Sequence, residues 1–293
     1  MIPKRSFARD VLTVPALGLG AGNLGDPALS DDDVDRLLSG AIELGVTLID
    51  TAPSYGTSEE RIGRLLRGRR DRVVLSTKVG YGVPGVKDWT ADAVRLGVDR
   101  ALIRLRTDWI DIVHLHSCPA DVLEAGDVPA ALVRAVQDGK IRVAAYAGDA
   151  HALYVATRLP GLGSVQASLS VCDRSNLPTL RLAAEGGLGT IGKRVLANAP
   201  WRHASQPQRA DEAVYWSRWH SLALQLDGAE PADVALRWVV HHGGVGCALV
   251  GTRSVSRLES AARAVLAGPL PEALLAHLDA RYEQVGRSWA PVT

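Results

Sequence analysis

Short apolar runs alternate with segments of helical period along the whole chain. The runs at 16–20 (ALGLG), 46–50 (VTLID), 73–78 (VVLSTK), 110–116 (IDIVHLH), 142–147 (RVAAYA), 164–168 (SVQAS), 189–193 (GTIGK) and 245–251 (VGCALVG) predict eight strands. Several lack two-residue alternation, the pattern of parallel strands covered on both faces. Helical patterns fill the gaps. Ser30 followed by Asp31, Asp32 and Asp33 predicts an N-cap with first-turn acids, opening a helix to Leu44 that Gly45 stops. Thr90 precedes 91–106 in the same way, and further helices are predicted at 58–66, 122–138, 150–158, 177–184, 231–241, 255–265 and 271–285. Eight strand-then-helix units match a (β/α)8 TIM barrel, an α/β fold of about 250 residues. Residues 1–15 are expected to form a small hairpin capping the barrel floor, and 198–226 a long insertion after the seventh barrel strand.

Composition narrows this further. A chain of 293 residues holds two average domains or one large barrel, and the eight units favour one domain over residues 1–293. With 33 basic and 32 acidic side chains the formal net charge is +1, which gives no electrostatic case for nucleic acid, an anionic membrane or a polyanionic substrate. The opening MIPKRSFARDVLTVP has no apolar core of a secretory signal, and no apolar stretch is long enough to span a bilayer. Cys118, Cys172 and Cys247 are too scattered for a disulfide framework, so a reducing, cytoplasmic setting is expected. The chain carries 29 Gly and 7 Trp but a single Phe, Phe7, to which the pattern assigns no role.

Gly20, Gly22 and Gly25 fit the G-x-G-x-x-G spacing of a dinucleotide-binding Rossmann unit after a strand. That unit starts its helix inside the glycine run, so that backbone N–H groups face the pyrophosphate. Here Asp26-Pro27 intervenes and the helix signal comes only at Ser30, which favours a glycine-lined barrel rim.

In a parallel barrel, reactive groups belong at the C-terminal strand ends. The second barrel strand ends in Asp50 and runs into a loop bearing Tyr55; the third ends in Lys78 and the fourth in His116. Singly, each has an ordinary explanation as a turn cap, a packed phenol, a solvated amine or a core imidazole. Together, an acid, a phenol, a lysine and a histidine converge on one rim.

The segments LGLGAGNLG, GVTLIDTAPSYGTSEERIG, STK, DIVHLHS, GKIR, VQAS, ALRWVV and LVGTRSVSRLE resemble the aldo-keto reductase family from about Leu17 to about Ala264. The resemblance implies a (β/α)8 barrel that reduces carbonyls with NADPH, with Asp50, Tyr55, Lys78 and His116 as its catalytic tetrad. The chemistry fits these residue types. A phenol near pKa 10 is a poor acid at neutral pH unless its anion is stabilised. Lys78 is expected to lower the Tyr55 pKa, Asp50 to keep the buried ammonium paired, and His116 to orient the carbonyl oxygen.

The resemblance further implies cofactor contacts from Gly20, Ala21, Gly22, Asp50, Leu196 and Gly251, with Gln166 holding the nicotinamide carboxamide. Thr252, Arg253, Ser254 and Arg257 in GTRSVSR would receive the adenosine 2′-phosphate, which favours NADPH over NADH. Three positions depart from the family pattern. Ala147-Gly148 stands where Ser-Asn grips the carboxamide, and Ser260-Ala261 where Glu-Asn contacts adenine. Lys193 and Arg194 occupy the place of an aromatic that stacks on the nicotinamide; Lys193 is expected over the ring edge and Arg194 at the pyrophosphate. No metal site is expected. Tyr81, Trp89, Cys118, Trp201, Tyr215, Trp216 and Trp219 on the surrounding loops predict an apolar or aromatic pocket with few fixed charges. The expected partner is a small carbonyl or alcohol substrate. The alternative is a cofactor-binding, redox-sensing regulatory subunit, a role other barrels of the family fill.

Overall fold

The computed structural model describes residues 1–241 and 244–292. A short antiparallel hairpin, β1 (Lys4–Phe7) and β2 (Leu12–Pro15), leads into the first barrel strand. Among the described residues eight parallel strands close into a barrel: β3 (Leu17–Gly20), β4 (Leu48–Asp50), β5 (Val74–Val79), β6 (Ile110–His116), β7 (Ile141–Ala147), β8 (Ser164–Ser168), β9 (Gly189–Lys193) and β10 (Cys247–Gly251). Neighbours in sequence are neighbours in the sheet, and β10 pairs β3 to close it. The expected TIM barrel and N-terminal hairpin are both present. A Rossmann unit is not: the glycine run enters a tight 3-10 turn at Ala21–Gly25, and the following helix begins only at Asp31.

The helices begin and end where local chemistry dictates. Helix α1 (Asp31–Leu44) opens with a reciprocal capping box between Ser30 and Asp33 and stops at Gly45, whose φ is 80°. The second helix is α2 (Ser58–Leu65). Thr90 accepts from the Ala93 amide at the start of α3 (Ala91–Leu105). One sequence expectation needs correction: the helix over 122–138 is two helices, α4 (Ala120–Ala125) and α5 (Asp127–Gln137). Gly126, at φ 90°, breaks the turn between them, and Pro129 sits in the first turn of α5 where its missing N–H costs nothing. Helices α6 (Ala150–Thr157) and α7 (Leu177–Glu185) follow as the pattern implies. The insertion after β9 carries a 3-10 turn (Pro200–Arg202) and its own helix, α8 (Ala210–Leu222), before α9 (Pro231–His241). Helices α10 (Val255–Leu266) and α11 (Glu272–Val285) complete the outer layer.

The barrel interior explains the position of the site. Side chains two apart on a strand share a face. On the inner face β4 carries Leu48 then Asp50, β5 carries Val74, Ser76 and Lys78, and β6 carries Ile112, His114 and His116. Each strand is thus apolar toward its start and polar toward its end. The register places Asp50 beside Ser76 and Lys78 beside His114. Below lies a separate apolar cluster including Leu48, Ile112, Val143, Ile191 and Leu249. The hairpin seals it. Phe7, the single phenylalanine, is 2% exposed and packs against this cluster, and a Cβ on Gly189 would lie 2.3 Å from its ring. Arg5 secures the hairpin by donating to the carbonyls of Val240 and Val245.

The rim is equally constrained at Gly25. A Cβ there would stand 1.6 Å from the Tyr55 carbonyl oxygen, so the glycine run sets how closely the Tyr55 loop can approach. Gly25→Ala is expected to destabilise the protein by about 3 kcal/mol or more, as backbone overpacking does. Gly22→Ala, whose Cβ meets nothing nearer than 4.0 Å, should unfold close to the native temperature. A thermal melt of the two variants checks both.

Candidate active site

Three successive strands and one loop bring the predicted groups together. Lys78 Nζ lies 2.7 Å from Asp50 Oδ2 and donates to the Thr51 carbonyl at 2.8 Å. Both side chains are buried, Lys78 at 2% and Asp50 at 4% exposure. The Tyr55 ring centroid is 5.2 Å from the ammonium and meets the His116 ring edge-on at 6.5 Å. The loop that carries Tyr55 is pinned by a buried chain, Thr51 Oγ1 to Ser58 Oγ at 2.8 Å and Ser58 Oγ to the Ala21 carbonyl at 3.0 Å. Gly56, at φ 58°, turns that loop back under the Gly25 carbonyl.

The electrostatics follow from burial and pairing. Desolvation pushes the Asp50 carboxyl up, but Lys78, His114 and the Ser76 hydroxyl more than offset it and hold the acid ionised below its ordinary range. Desolvation likewise opposes charge on Lys78, and Asp50 outweighs it, so the ammonium holds its proton more tightly than usual. Tyr55 differs from the sequence expectation. Its phenol stands above the ordinary value because burial dominates; Lys78 pulls the other way without overcoming it. Burial brings His116 down to about 3 and His114 down to about 4, so both imidazoles are neutral at ordinary pH.

Several residues of the site were missed in the sequence. Tyr81, expected only as pocket lining, has its hydroxyl 2.9 Å from His116 Nδ1 and stacks on that imidazole, and Trp89 packs tilted against it at 5.7 Å. Ser76 links Asp50 and His114, at 2.7 Å and 3.1 Å. Both signals were present as period-two neighbours, Ser76 of Lys78 and His114 of His116, because residues two apart face the same interior.

A cavity of about 500 Å³ opens over these groups, lined also by Gly20, Gly22, Gln166, Lys193, Arg194 and Gly251. It adjoins a second of about 610 Å³, lined by Leu196, Thr252, Arg257, Ser260 and Ala261 among others. Asn23, Arg194, Leu249 and Gly251 line both, so the two form one elongated cleft ending at the start of α10. Three predicted contacts lie outside these linings. Ala21 is fully buried and holds Ser58 through its carbonyl; Arg253 is paired with Asp26; Ser254 caps the α10 amide of Arg257.

The expectation of an aromatic pocket with few fixed charges is corrected. Tyr215 is fully buried, Trp219 packs on Trp201, and Trp216 packs on His220. Of the tryptophans named, Trp201 alone reaches the cleft, in its outer part. The inner wall is instead ionic. Lys193 Nζ donates to Asp149 Oδ2 at 2.7 Å and to Ser168 Oγ at 2.9 Å. Asp149 Oδ1 accepts from the Ser168 amide at 2.7 Å and from Asn176 at 2.9 Å. Tyr215, Trp216 and Trp219 lie on α8, the helix of the insertion, and pack there instead of over the site. Arg194 turns to the Val292 carbonyl at 3.1 Å. Cys118 lines the cavity, but burial raises its thiol to about 12 and keeps it unreactive.

The cleft fits a dinucleotide. Gln166 is 1% exposed on the inner wall, and its amide nitrogen has no hydrogen-bond partner, an unspent donor that a carboxamide oxygen would satisfy. At the far end the N-terminus of α10 lies beside Thr252 and Arg257, a site suited to an anionic phosphate. Comparison with known proteins agrees. The profile of the Aldo/keto reductase family matches residues 16–283. This chain belongs to that family. It is 29% identical to L-galactose dehydrogenase of Arabidopsis thaliana over 90% of this chain and 88% of that one. It is 28% identical to a methylglyoxal reductase of Escherichia coli, over 94% and 93%. Among solved structures, an aldo-keto reductase of Klebsiella pneumoniae in complex with NADPH superimposes with a TM-score of 0.78 at 26% identity, covering 100% of this chain and 99% of that one. The protein is an NAD(P)H-dependent carbonyl oxidoreductase that uses a nicotinamide cofactor.

The buried neutral imidazoles carry a stability signature. His114 keeps a folded value of about 4 against 6.5 when free, so the unfolded chain binds a proton that the native one refuses. Its contribution is complete above about pH 6.5 and is lost as pH falls toward 4. Urea unfolding at a series of pH values should show native stability declining across this window, and His114→Gln should flatten the slope by up to one proton.

Proposed function

We propose that the protein reduces an aldehyde or ketone to the alcohol, or runs the reverse reaction, with NADPH preferred and Tyr55 as the proton donor. The reading treats residues 1–293 as one catalytic domain. The observation that carries it is the buried Asp50–Lys78 pair set directly beneath Tyr55 and His116 at the floor of the cleft. When bound, the reduced cofactor supplies a hydride. Every other requirement falls to side chains of this chain.

As negative charge grows on the carbonyl oxygen, a donor must deliver a proton to it. Tyr55 does so from its hydroxyl. Lys78 uses two of its three hydrogens on Asp50 and Thr51, leaving one for the phenolate left behind. The pKa of Tyr55, raised by burial, keeps its proton in place until the oxygen can take it. His116 is neutral, and Tyr81 donating to Nδ1 leaves Nε2–H to hold the substrate oxygen. Asp50 keeps the ammonium charged throughout.

Two features bear on selectivity. Gln166 holds the carboxamide, Gly20, Gly22 and Gly251 line the cofactor's path, and Arg194 and Leu196 flank it. Thr252 and Arg257, with Arg253 released from Asp26, receive the 2′-phosphate, which only NADPH carries. The Lys193–Asp149 pair presents fixed charge to the inner pocket and favours hydroxylated over purely apolar substrates.

Tyr55→Phe is expected to lower carbonyl reduction by about 10²–10⁴-fold while leaving NADPH binding intact, assayed on a panel of aldehydes, ketones and aldoses. Near-native turnover would refute the assignment. Tight NADPH binding by the native protein with no turnover on the panel would favour a regulatory subunit. Arg257→Ala should raise the Kd for NADPH by about 10–100-fold, the loss of a charged hydrogen bond, and leave NADH unaffected in a fluorescence titration.

A further inference from the structure

Ser76 lies one layer below Lys78 on β5, and His114 one layer below His116 on β6; the reaction as proposed uses neither. Both are fully buried. Ser76 Oγ is 2.7 Å from Asp50 Oδ1 and 3.1 Å from His114 Nε2. A serine hydroxyl has one hydrogen to give, and an ionised carboxylate can only accept. The Ser76 hydrogen therefore goes to Asp50. The contact between Ser76 and His114 must then be supplied with a hydrogen by the imidazole, which places the His114 proton on Nε2 and leaves Nδ1 bare. Nδ1 faces the Tyr146 backbone on β7 without forming a well-aligned hydrogen bond.

The arrangement matters because Asp50 has few other donors. Oδ2 faces Lys78 and Oδ1 faces Ser76. The titratable groups around this carboxylate are Lys78 on β5, His114 and His116 on β6, Tyr55 on the loop after β4 and Cys247 on β10. Of these Lys78 alone is charged at neutral pH. Hydrogen bonds to the charged form of an acid favour that form. The rival tautomer, Nδ1–H turned toward the Tyr146 backbone on β7, would draw the Ser76 hydrogen to Nε2 and strip Oδ1 of its donor.

We propose that His114 is a positioning residue: a neutral Nε2–H imidazole that fixes Ser76, so that Ser76 holds Asp50 ionised and turned toward Lys78 and Tyr55. Its activity readout rests on the function proposed above; its tautomer does not. Nitrogen-15 NMR of imidazole-labelled protein, with the His114 signal assigned by its loss in His114→Gln, reads the tautomer directly. The expected spectrum shows Nε2 protonated and Nδ1 bare, unchanged between about pH 6 and pH 8. An Nδ1–H tautomer, or a titrating imidazolium, overturns the proposal.

Three variants test the positioning. Glutamine presents an amide nitrogen at the place of Nε2, asparagine at the place of Nδ1, and leucine none. His114→Gln should keep kcat within about twofold, whereas His114→Asn and His114→Leu should lose about tenfold, the scale of one buried hydrogen bond, with an unchanged Kd for NADPH. The acid limb of the kcat/KM profile should move to higher pH in the asparagine and leucine variants only, because Asp50 then protonates more readily. Glutamine as slow as leucine, or all three equal to the native protein, overturns the proposal. Should the leucine variant fail to fold, the contrast between glutamine and asparagine decides. Absence of carbonyl reduction by the native protein would refute the functional reading, and the NMR tautomer would still decide the role of His114.

Discussion

Inside the barrel, a carboxylate and an ammonium stand 2.7 Å apart with almost no exposure to solvent. Removing either partner would strand a buried charge, at a cost of several kcal/mol, so the surrounding structure is committed to keeping both. The commitment is visible in every neighbour. Ser76 takes the free oxygen of Asp50, the Thr51 carbonyl takes a hydrogen of Lys78, and the register of β4, β5 and β6 sets Asp50 beside Ser76 and Lys78 beside His114. Beneath that layer the interior is apolar and sealed by Phe7, which keeps the local dielectric low and the pair tightly coupled.

The reactive groups above depend on the same layer. Tyr55 reaches Lys78 because Gly25 lets its loop descend, and His116 keeps one face of its ring because Tyr81 stacks against it. The near-neutral overall charge is compatible with charged groups placed locally along the cleft. Cations and anions are paired in the inner wall at Lys193 and Asp149, while Arg257 lines the outer cleft at the start of α10. A local cluster of this kind suits an anionic ligand without making the whole surface basic.

The barrel itself was legible because its strands and caps are written in local chemistry. Ser30, Thr90 and Gly45 act on their own neighbours, and the predicted strands differ from the observed ones by a residue or two at their ends. The break at Gly126 was missed because the apolar period continues through it, and only the positive φ of the folded chain reveals the turn. In the site, Asp50, Lys78 and His116 were legible as strand ends. Ser76 and His114 were signalled only by their two-residue spacing from Lys78 and His116, and a serine and a histidine inside a strand read as ordinary core until the register sets them beside an acid. The aromatic loops misled for the opposite reason. Their residues are conspicuous in sequence, but packing buried Tyr215 and set Trp219 against Trp201 and Trp216 against His220, away from the inner pocket. That Lys193 would meet Asp149 depends on a contact between segments 44 residues apart, which no local pattern encodes.

Closure of the sheet joins its first strand to its last, β3 to β10, and Arg5 holds the amino-terminal hairpin to carbonyls at 240 and 245. During synthesis the emerging chain therefore carries an open sheet with two unpaired edges until β10 has left the ribosome. Its floor cluster stays uncovered on the side of β10 for the same interval, and the charged pair waits in a half-built interior. A nascent protein of this design is most vulnerable to aggregation while the first seven barrel strands have been made and the closing strand has yet to arrive.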